Sequence, residues 1–279
     1  MIKDEELMKA IDYSEGQKDA AYSILGEVIN LLDEYSENLL LVGGWVPTLM
    51  YPDKEHIGSI DVDVLINQMK VKKAENYMTI KRILERNGYK RHPEKYFTYC
   101  KSVTIGGITY DVDVDFLSGK YGGDGGNVSK HVDGIKTLPA TGGNFAFEFP
   151  ANNIRIEYSR PDGAMDFAHV NVISVVPYLV MKSAALGRGK PKDAYDIYFT
   201  IDKYPGGVRE LTKEFFPWSD KELIRDMCTN LGEKFASPNH AGPADVVAFL
   251  GLSDEEENER IKQDAYQKVK YLVDTVKSE

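Results

Sequence analysis

The chain has 279 residues, 42% of them hydrophobic, and a formal net charge of -10. That length holds one large domain or two ordinary ones with a sizeable core, and the acidic balance excludes a broad basic surface for duplex nucleic acid while leaving room for a local basic patch. Cys100 and Cys228, the two cysteines, provide neither a disulfide framework nor zinc-ligand spacing. No apolar run approaches the ~18 residues of a membrane span, and the acidic, polar N-terminus lacks the features of a signal peptide. A cytoplasmic protein without membrane contact is expected.

Residues 4–36 carry apolar positions at helical spacing, among them Leu7, Ile11, Ala21, Leu25, Val28 and Leu32. Residues 38–42 form a short apolar run that stops at Gly43-Gly44, which reads as a buried strand and a turn, with a helix expected next. A polar loop over 51–59 leads to Ile60–Ile66, where Asp61 and Asp63 alternate with Val62 and Val64. Residues 70–87 read as a helix stopped by Asn87-Gly88. Residues 96–105 and 108–117 are strand-like runs around Gly106-Gly107, a hairpin signal. The glycine-rich stretch 119–143 is a long loop, and Asp124, Asp133 and the glycines around them suggest a lid. Further strands are expected in 145–158 and 169–176. Helices are expected over 177–186, 191–203 and 219–235, and a last one opens at Ser253, three residues before Glu256, in a capping-box pattern. The switch from mixed to helical character divides the chain into domains 1–174 and 175–279.

Carboxylates at i and i+2 on a strand point the same way, about 6–7 Å apart. Asp61 and Asp63 are such a pair, able to converge on a divalent cation, and Asp111, Asp113 and Asp115 form a second row on one face of the later strand. Alternating Asp and Val also suits a solvent-facing edge strand. Yet aspartate is disfavoured in strands, and five on two strands repel unless cations neutralise them. Mg²⁺ takes hard oxygen ligands, often one or two carboxylates and substrate phosphates, and a two-metal site needs a carboxylate from a neighbouring strand. Upstream, glycines after a strand let main-chain N–H groups approach phosphate.

This order of motifs resembles the DNA polymerase β-like nucleotidyltransferase superfamily. The matching residues are Val42-Gly43-Gly44, then Asp61-Val62-Asp63-Val64 after Ser59, then Val114-Asp115-Phe116-Leu117; the spacer from Gly44 to Asp61 is longer than usual. A second block, Val180–Thr200, is similar to that of AbiEii-type, toxin-like nucleotidyltransferases at Lys182, Ala185, Arg188, Lys190, Asp193 and Asp196. Lys192 stands where that family has arginine, which keeps charge but loses the bidentate fork. Read on its own, Lys182 is a lysine in an apolar stretch, while Arg188, Lys190 and Lys192 form a local cationic cluster that also suits a helix end. Asp193 can serve the start of a helix. His56 and Trp45 are weaker candidates for phosphate and base contact.

The resemblance implies an α+β fold, a nucleotidyltransferase-type mixed sheet with flanking helices followed by a mainly helical C-terminal domain. It implies an enzyme that moves a nucleoside monophosphate from a nucleoside triphosphate, with Mg²⁺ or Mn²⁺ held by Asp61, Asp63 and Asp115, and Asp113 as the alternate third carboxylate. Gly43, Gly44, Ser59, Lys182, Arg188 and Asp193 are the implied nucleotide-binding residues. The acceptor is RNA such as a tRNA, a protein or a small molecule, and the implied setting is toxin–antitoxin or defence, with an antitoxin protein as partner. The rivals are a non-catalytic interaction protein on the same fold and a small-molecule, aminoglycoside-type nucleotidyltransferase.

Overall fold

The computed structural model describes residues 8–71, 78–120 and 130–279. Their contacts form two compact units. One comprises Ser14–Met50 and Gly58–Pro177; the other comprises the residues up to Tyr13, Tyr51–Ile57 and Tyr178–Glu279. The division expected at residue 175 is contiguous, whereas these units interleave, because the segments up to Tyr13 and over Tyr51–Ile57 group with the C-terminal helices.

The first unit is a mixed sheet with helices. Its opening helix α1 (Glu15–Leu31) starts at a reciprocal cap: Ser14 Oγ accepts from Gln17 N, and Gln17 Oε1 accepts from Ser14 N. Strand β1 (Leu39–Val42) is buried throughout, turns at Gly43-Gly44 and enters the short helix α2 (Trp45–Met50). Strand β2 (Val62–Ile66) follows, then α3 (Gln68–Val71) and α4 (Ile80–Arg86). Thr79 caps α4, and the chain leaves it through Asn87 and a left-handed Gly88. Among the described residues the single helix expected over 70–87 is interrupted at 78–79, and 72–77 lie outside them. After β3 (Lys90–Arg91) come β4 (Thr98–Ile105) and β5 (Ile108–Gly119). Ile105 pairs with Ile108 across Gly106 and Gly107, whose φ values of 57° and 83° are the two left-handed residues a tight hairpin demands.

Part of the glycine-rich stretch proves to be structured. β6 (Lys130–Val132) and β7 (Ile135–Ala140) form a hairpin turning at Asp133 and Gly134. Asp133 accepts from Ile80 N at 2.7 Å and from the Tyr35 hydroxyl, so it anchors this turn. Asp124 and its neighbouring glycines lie outside the described residues. The strand expected over 145–158 begins only at Asn152, because Gly143–Ala146 forms the helical turn α5. Strands β8 (Asn152–Ser159) and β9 (Met165–Val172) complete the sheet.

The strand order is β3-β4-β5-β2-β1-β9-β8, with β7 joining the C-terminal end of β5 and carrying β6. β2 runs parallel to β5 and antiparallel to β1, so the sheet is mixed. Helix α1 covers one face. Its Glu27 accepts from Lys101 Nζ on β4 at 2.7 Å and from the Tyr89 hydroxyl at 2.6 Å. Lys101 pairs with Val112, which places Val112, Val114, Phe116, Val62 and Val64 on that face. All five are buried. Alternation leaves the opposite face to the aspartates.

The second unit is helical. Helix α6 (Val175–Ala185) leads into α7 (Pro191–Lys203), α8 (Val208–Phe215), α9 (Glu222–Lys234), α10 (Ala241–Leu250) and α11 (Glu255–Lys277). α11 packs on α7, α8, α9 and α10, burying Phe215, Leu231, Phe249, Val269 and Leu272. Its N-cap is Asp254, one residue after the expected Ser253: the Asp254 carboxylate accepts from the N–H groups of both Glu256 and Glu257. An ionised acceptor there also complements the helix dipole. α8 and α10 were not expected. α8 is short, and α10 carries Pro243 in its first turn, where proline is tolerated although it reads as a breaker. Among the described residues no helix is long and apolar enough to cross a membrane.

Helix α1 crosses β8 at Gly26, where a Cβ would lie 2.3 Å from the Tyr158 ring. Gly26→Ala should therefore destabilise the protein by about 1–2 kcal/mol, the overpacking cost exceeding the ~1 kcal/mol gained in helix propensity. Urea denaturation would measure it; an unchanged or raised midpoint would contradict the close helix–sheet contact.

Candidate active site

The sheet unit brings three of the aspartates together. Asp63 on β2 pairs with Asp115 on the parallel strand β5 and, across the antiparallel neighbour, with Val42 at the end of β1. Residues paired in this way lie about 4.8 Å apart and share a face. The carboxylates of Asp63 and Asp115 therefore rise side by side. Gly43 follows Val42 with φ at 74°, and a Cβ there would lie 1.8 Å from Asp63 Oδ2. Glycine is required at that position twice over, by backbone conformation and by the carboxylate lying against it. Asp61, just before β2, accepts from the buried Ser59 hydroxyl at 2.5 Å. Ser59 thus serves as a donor to the carboxylate group.

Strand β4 supplies a row of donors that sequence reasoning missed. Thr98, Cys100 and Ser102 pair with Asp115, Asp113 and Asp111. The Thr98 hydroxyl donates to Asp115 Oδ1 at 2.5 Å, the Cys100 thiol to Asp113 Oδ1 at 2.9 Å, and the Ser102 hydroxyl to Asp111 Oδ1 at 2.5 Å. The alternating Thr-Tyr-Cys-Lys-Ser run was the available signal, legible only once its pairing with β5 is known. The three β5 aspartates are thereby distinguished. Asp111 is exposed. Asp113 also holds Lys95 Nζ at 3.0 Å. Asp115 is the one in register with Asp63. Burial, with help from the charges of Asp61 and Asp113, pushes the Asp115 carboxyl up to about 7, against the opposing pull of Thr98.

His92, Cys100 and Asp113 also present ligand atoms within 4.8 Å of one another, a mixed N, S and O set better suited to zinc than to magnesium. Several of these atoms are otherwise engaged. His92 Nδ1 accepts from the N–H groups of Glu94 and Lys95 at 3.1 and 3.0 Å. The Cys100 thiol, pushed up to about 12 by burial and Asp113, is a protonated donor. A metal held through the Cys100 sulfur would have to displace its proton and its hydrogen bond to Asp113.

The helical unit gathers Lys182, Arg188, Asp193 and Asp196 and adds two residues, Lys192 and His56. Lys182 Nζ on α6 donates to Asp193 Oδ1 at 2.8 Å and Asp196 Oδ2 at 2.7 Å, both on α7. Arg188 Nη2 donates to Asp193 Oδ2 at 3.0 Å, and Lys192 Nζ to Asp196 Oδ1 at 2.9 Å. His56 Nε2 lies 3.0 Å from Asp196 Oδ1, its ring stacked on Tyr195 and edge-on to Phe199. Burial alone would raise both carboxyls. Against it, Lys182 and Arg188 together hold Asp193 below the usual carboxylate range, and Lys182, Lys192 and His56 together hold Asp196 far below it. Burial lowers the His56 ring despite Asp196. Lys182 is thus enclosed by its partners, whereas the Arg188 side chain remains 56% exposed. Trp45, in the sheet unit, is buried against Tyr22.

Two outcomes follow. The raised Asp115 carboxyl favours its proton in the fold, so its contribution to stability is complete below the ordinary carboxylate range and is lost as pH rises through about 7. Asp115→Asn should raise the melting temperature by roughly 5 °C at pH 8 in chelator, less at pH 5, and should abolish any stabilisation by Mg²⁺ at pH 8. A lower melting temperature at pH 8 would show the strain to be absent. Separately, Lys182→Met leaves two buried carboxylates facing one another and should cost about 3–5 kcal/mol in urea denaturation at neutral pH. A loss under about 1 kcal/mol would mean the pair is open to water.

No protein-family model matches the chain, and no curated protein matches it. Among solved structures, JHP933 from Helicobacter pylori aligns over 96% of this chain and 94% of its own, at 8% identity and a TM-score of 0.46. A likeness of that strength fixes neither a fold family nor an activity.

Proposed function

We propose that the chain is a divalent-metal-dependent nucleotidyltransferase, built on a nucleotidyltransferase-type sheet, that moves a nucleoside monophosphate from a nucleoside triphosphate to an acceptor hydroxyl. The observation that carries this is the in-register pairing of Asp63 with Asp115 beside Asp61 and the Gly43 turn. The donor set is oxygen-only, and burial, helped by the like charge of Asp61, lifts Asp115, which is the environment a hard dication relieves. Asp61, Asp63 and Asp115 would hold Mg²⁺ or Mn²⁺, which when bound neutralises triphosphate charge and acidifies a hydroxyl.

The chain's own residues divide the remaining tasks. Thr98 fixes Asp115 Oδ1, so Oδ2 is the oxygen that would take the acceptor's proton. The acceptor oxygen bonds to the α-phosphorus as the bond to the β-phosphate side breaks, and pyrophosphate carries away the electron pair. The main chain at Gly43-Gly44, lying against Asp63, is the candidate for close approach to phosphate. In the helical unit Arg188 is the candidate phosphate contact, because its guanidinium is exposed and already oriented by Asp193. Lys182 and Asp193 act through it as positioning residues. The similarity of the Val180–Thr200 block to AbiEii-type enzymes extends the proposal to a toxin-like or defence role, with RNA, protein or a small molecule as acceptor and an antitoxin protein as partner.

The test is incubation with each α-labelled nucleoside triphosphate, Mg²⁺ or Mn²⁺, and RNA, protein or aminoglycoside acceptors. Label should move to one acceptor class, and Asp63→Ala should lower the rate by roughly 10²–10³-fold, the scale for losing one transition-state charge contact. Equal inertness of wild type and Asp63→Ala with every triphosphate and acceptor would sink the proposal and favour an interaction protein.

A further inference from the structure

Strand β8 ends the sheet, and its far edge has no strand partner among the described residues. Exposed edges are usually guarded by brevity, proline, a bulge or an inward-pointing charge. β8 has none of these. It runs for eight residues, Asn152–Ser159, without proline. Its register with β9 is unbroken from Asn152↔Val172 to Ser159↔Met165, so there is no bulge. Its core-facing residues are Ile154, Ile156 and Tyr158, all uncharged. Its two charges, Arg155 and Glu157, stand on the outward face with side chains 54% and 65% exposed, and within one copy Arg155 Nη1 donates to Glu157 Oε1 at 2.8 Å, a pair that the second copy would extend into a four-membered charge cluster.

We propose that two copies of the chain pair β8 to β8, antiparallel, about a two-fold axis at Ile156, making one continuous sheet. The register follows from charge and pleat. Antiparallel pairing keeps faces matched only when the two residue numbers sum to an even value; an odd sum opposes an outward residue to a core-facing one. An axis at residue 155 sets Arg155 against itself, and an axis at 157 does the same to Glu157. Only the axis at Ile156 places each Arg155 opposite Glu157 of the second copy, with Asn153 opposite Ser159. On the core side it sets Ile154 against Tyr158 and Ile156 against itself. A two-fold axis makes this contact self-complementary, so the two ion pairs form together. The next row on the outward face holds Asn171, His169, Phe167 and Met165, the last two 49% and 68% exposed, and the Arg155 guanidinium lies 4.9 Å from the Phe167 ring. Arg155 would then lie between Phe167 and the second copy's carboxylate.

The test is sedimentation velocity of the full chain over about 1–100 μM, a range that brackets micromolar self-association. A reversible dimer is expected. Arg155→Glu and Glu157→Arg should each weaken it by roughly tenfold or more, because two attractive cross-strand pairs become repulsive, and the double exchange should restore it. Hydrogen exchange of the β8 amides in wild type gives an independent readout and should slow as concentration rises. The proposal is overturned by a monomer at every concentration, by a dimer that the single reversals leave intact, or by β8 exchange that does not depend on concentration.

Discussion

Parallel pairing of β2 with β5 sets Asp63 against Asp115, and the rest of the sheet unit is arranged around that contact. Two carboxylates in neighbouring register positions on a partly buried face repel, and the Lys95 charge offsets only part of the upward push on Asp115. The surroundings compensate by geometry. Gly43 gives up a side chain to make room for one carboxylate. Thr98 and Ser59 each supply a hydroxyl to the others. Helix α1 occupies the opposite face, so the apolar halves of β2, β4, β5, β8 and β9 are covered without covering the aspartates. A sheet that stores repulsion in one place is typical of a functional site, because fold stability alone would select against it.

The helical unit handles buried charge in the opposite way. Its two carboxylates are matched by Lys182, Lys192 and Arg188, with His56 as a further hydrogen-bond partner. Removing any one partner leaves charge stranded, so the cluster acts as a single piece that ties α6 to α7. Only Arg188 projects from it. A guanidinium held through one terminal nitrogen, with the side chain still half exposed, has already lost rotamer freedom that an ordinary surface arginine surrenders on meeting an anion.

What could be read in the sequence was what short-range rules determine. Helix α7 and the hairpin at Gly106-Gly107 lie where periodicity and turn chemistry place them. The alternation of Asp61 and Asp63 with valines marked one polar and one apolar face. Contacts between segments distant in the chain were not legible. Nothing local says that Thr98, Cys100 and Ser102 stand opposite the β5 aspartates, because that depends on strand pairing. Nothing local distinguishes His56 from an ordinary loop histidine; its burial comes from Tyr195 and Phe199, some 140 residues away. Short helices such as α8 and α10 escaped because their signal is as short as they are, and because Pro243 resembles a break. The grouping of Tyr51–Ile57 with the helices is likewise a tertiary fact with no compositional mark.

The thiol of Cys100 has a consequence outside the chemistry of the site. It is kept protonated by burial and by the carboxylate it serves, up to about 12, and Cys228 is pushed to about 11 by burial among the helices. Alkylating and maleimide reagents attack the thiolate, so near neutral pH both native cysteines are slow targets. A cysteine introduced on an exposed surface would react far sooner than either. The wild-type chain is in effect a quiet background for attaching a fluorophore or spin label, without first replacing a residue whose thiol donates a hydrogen bond to Asp113.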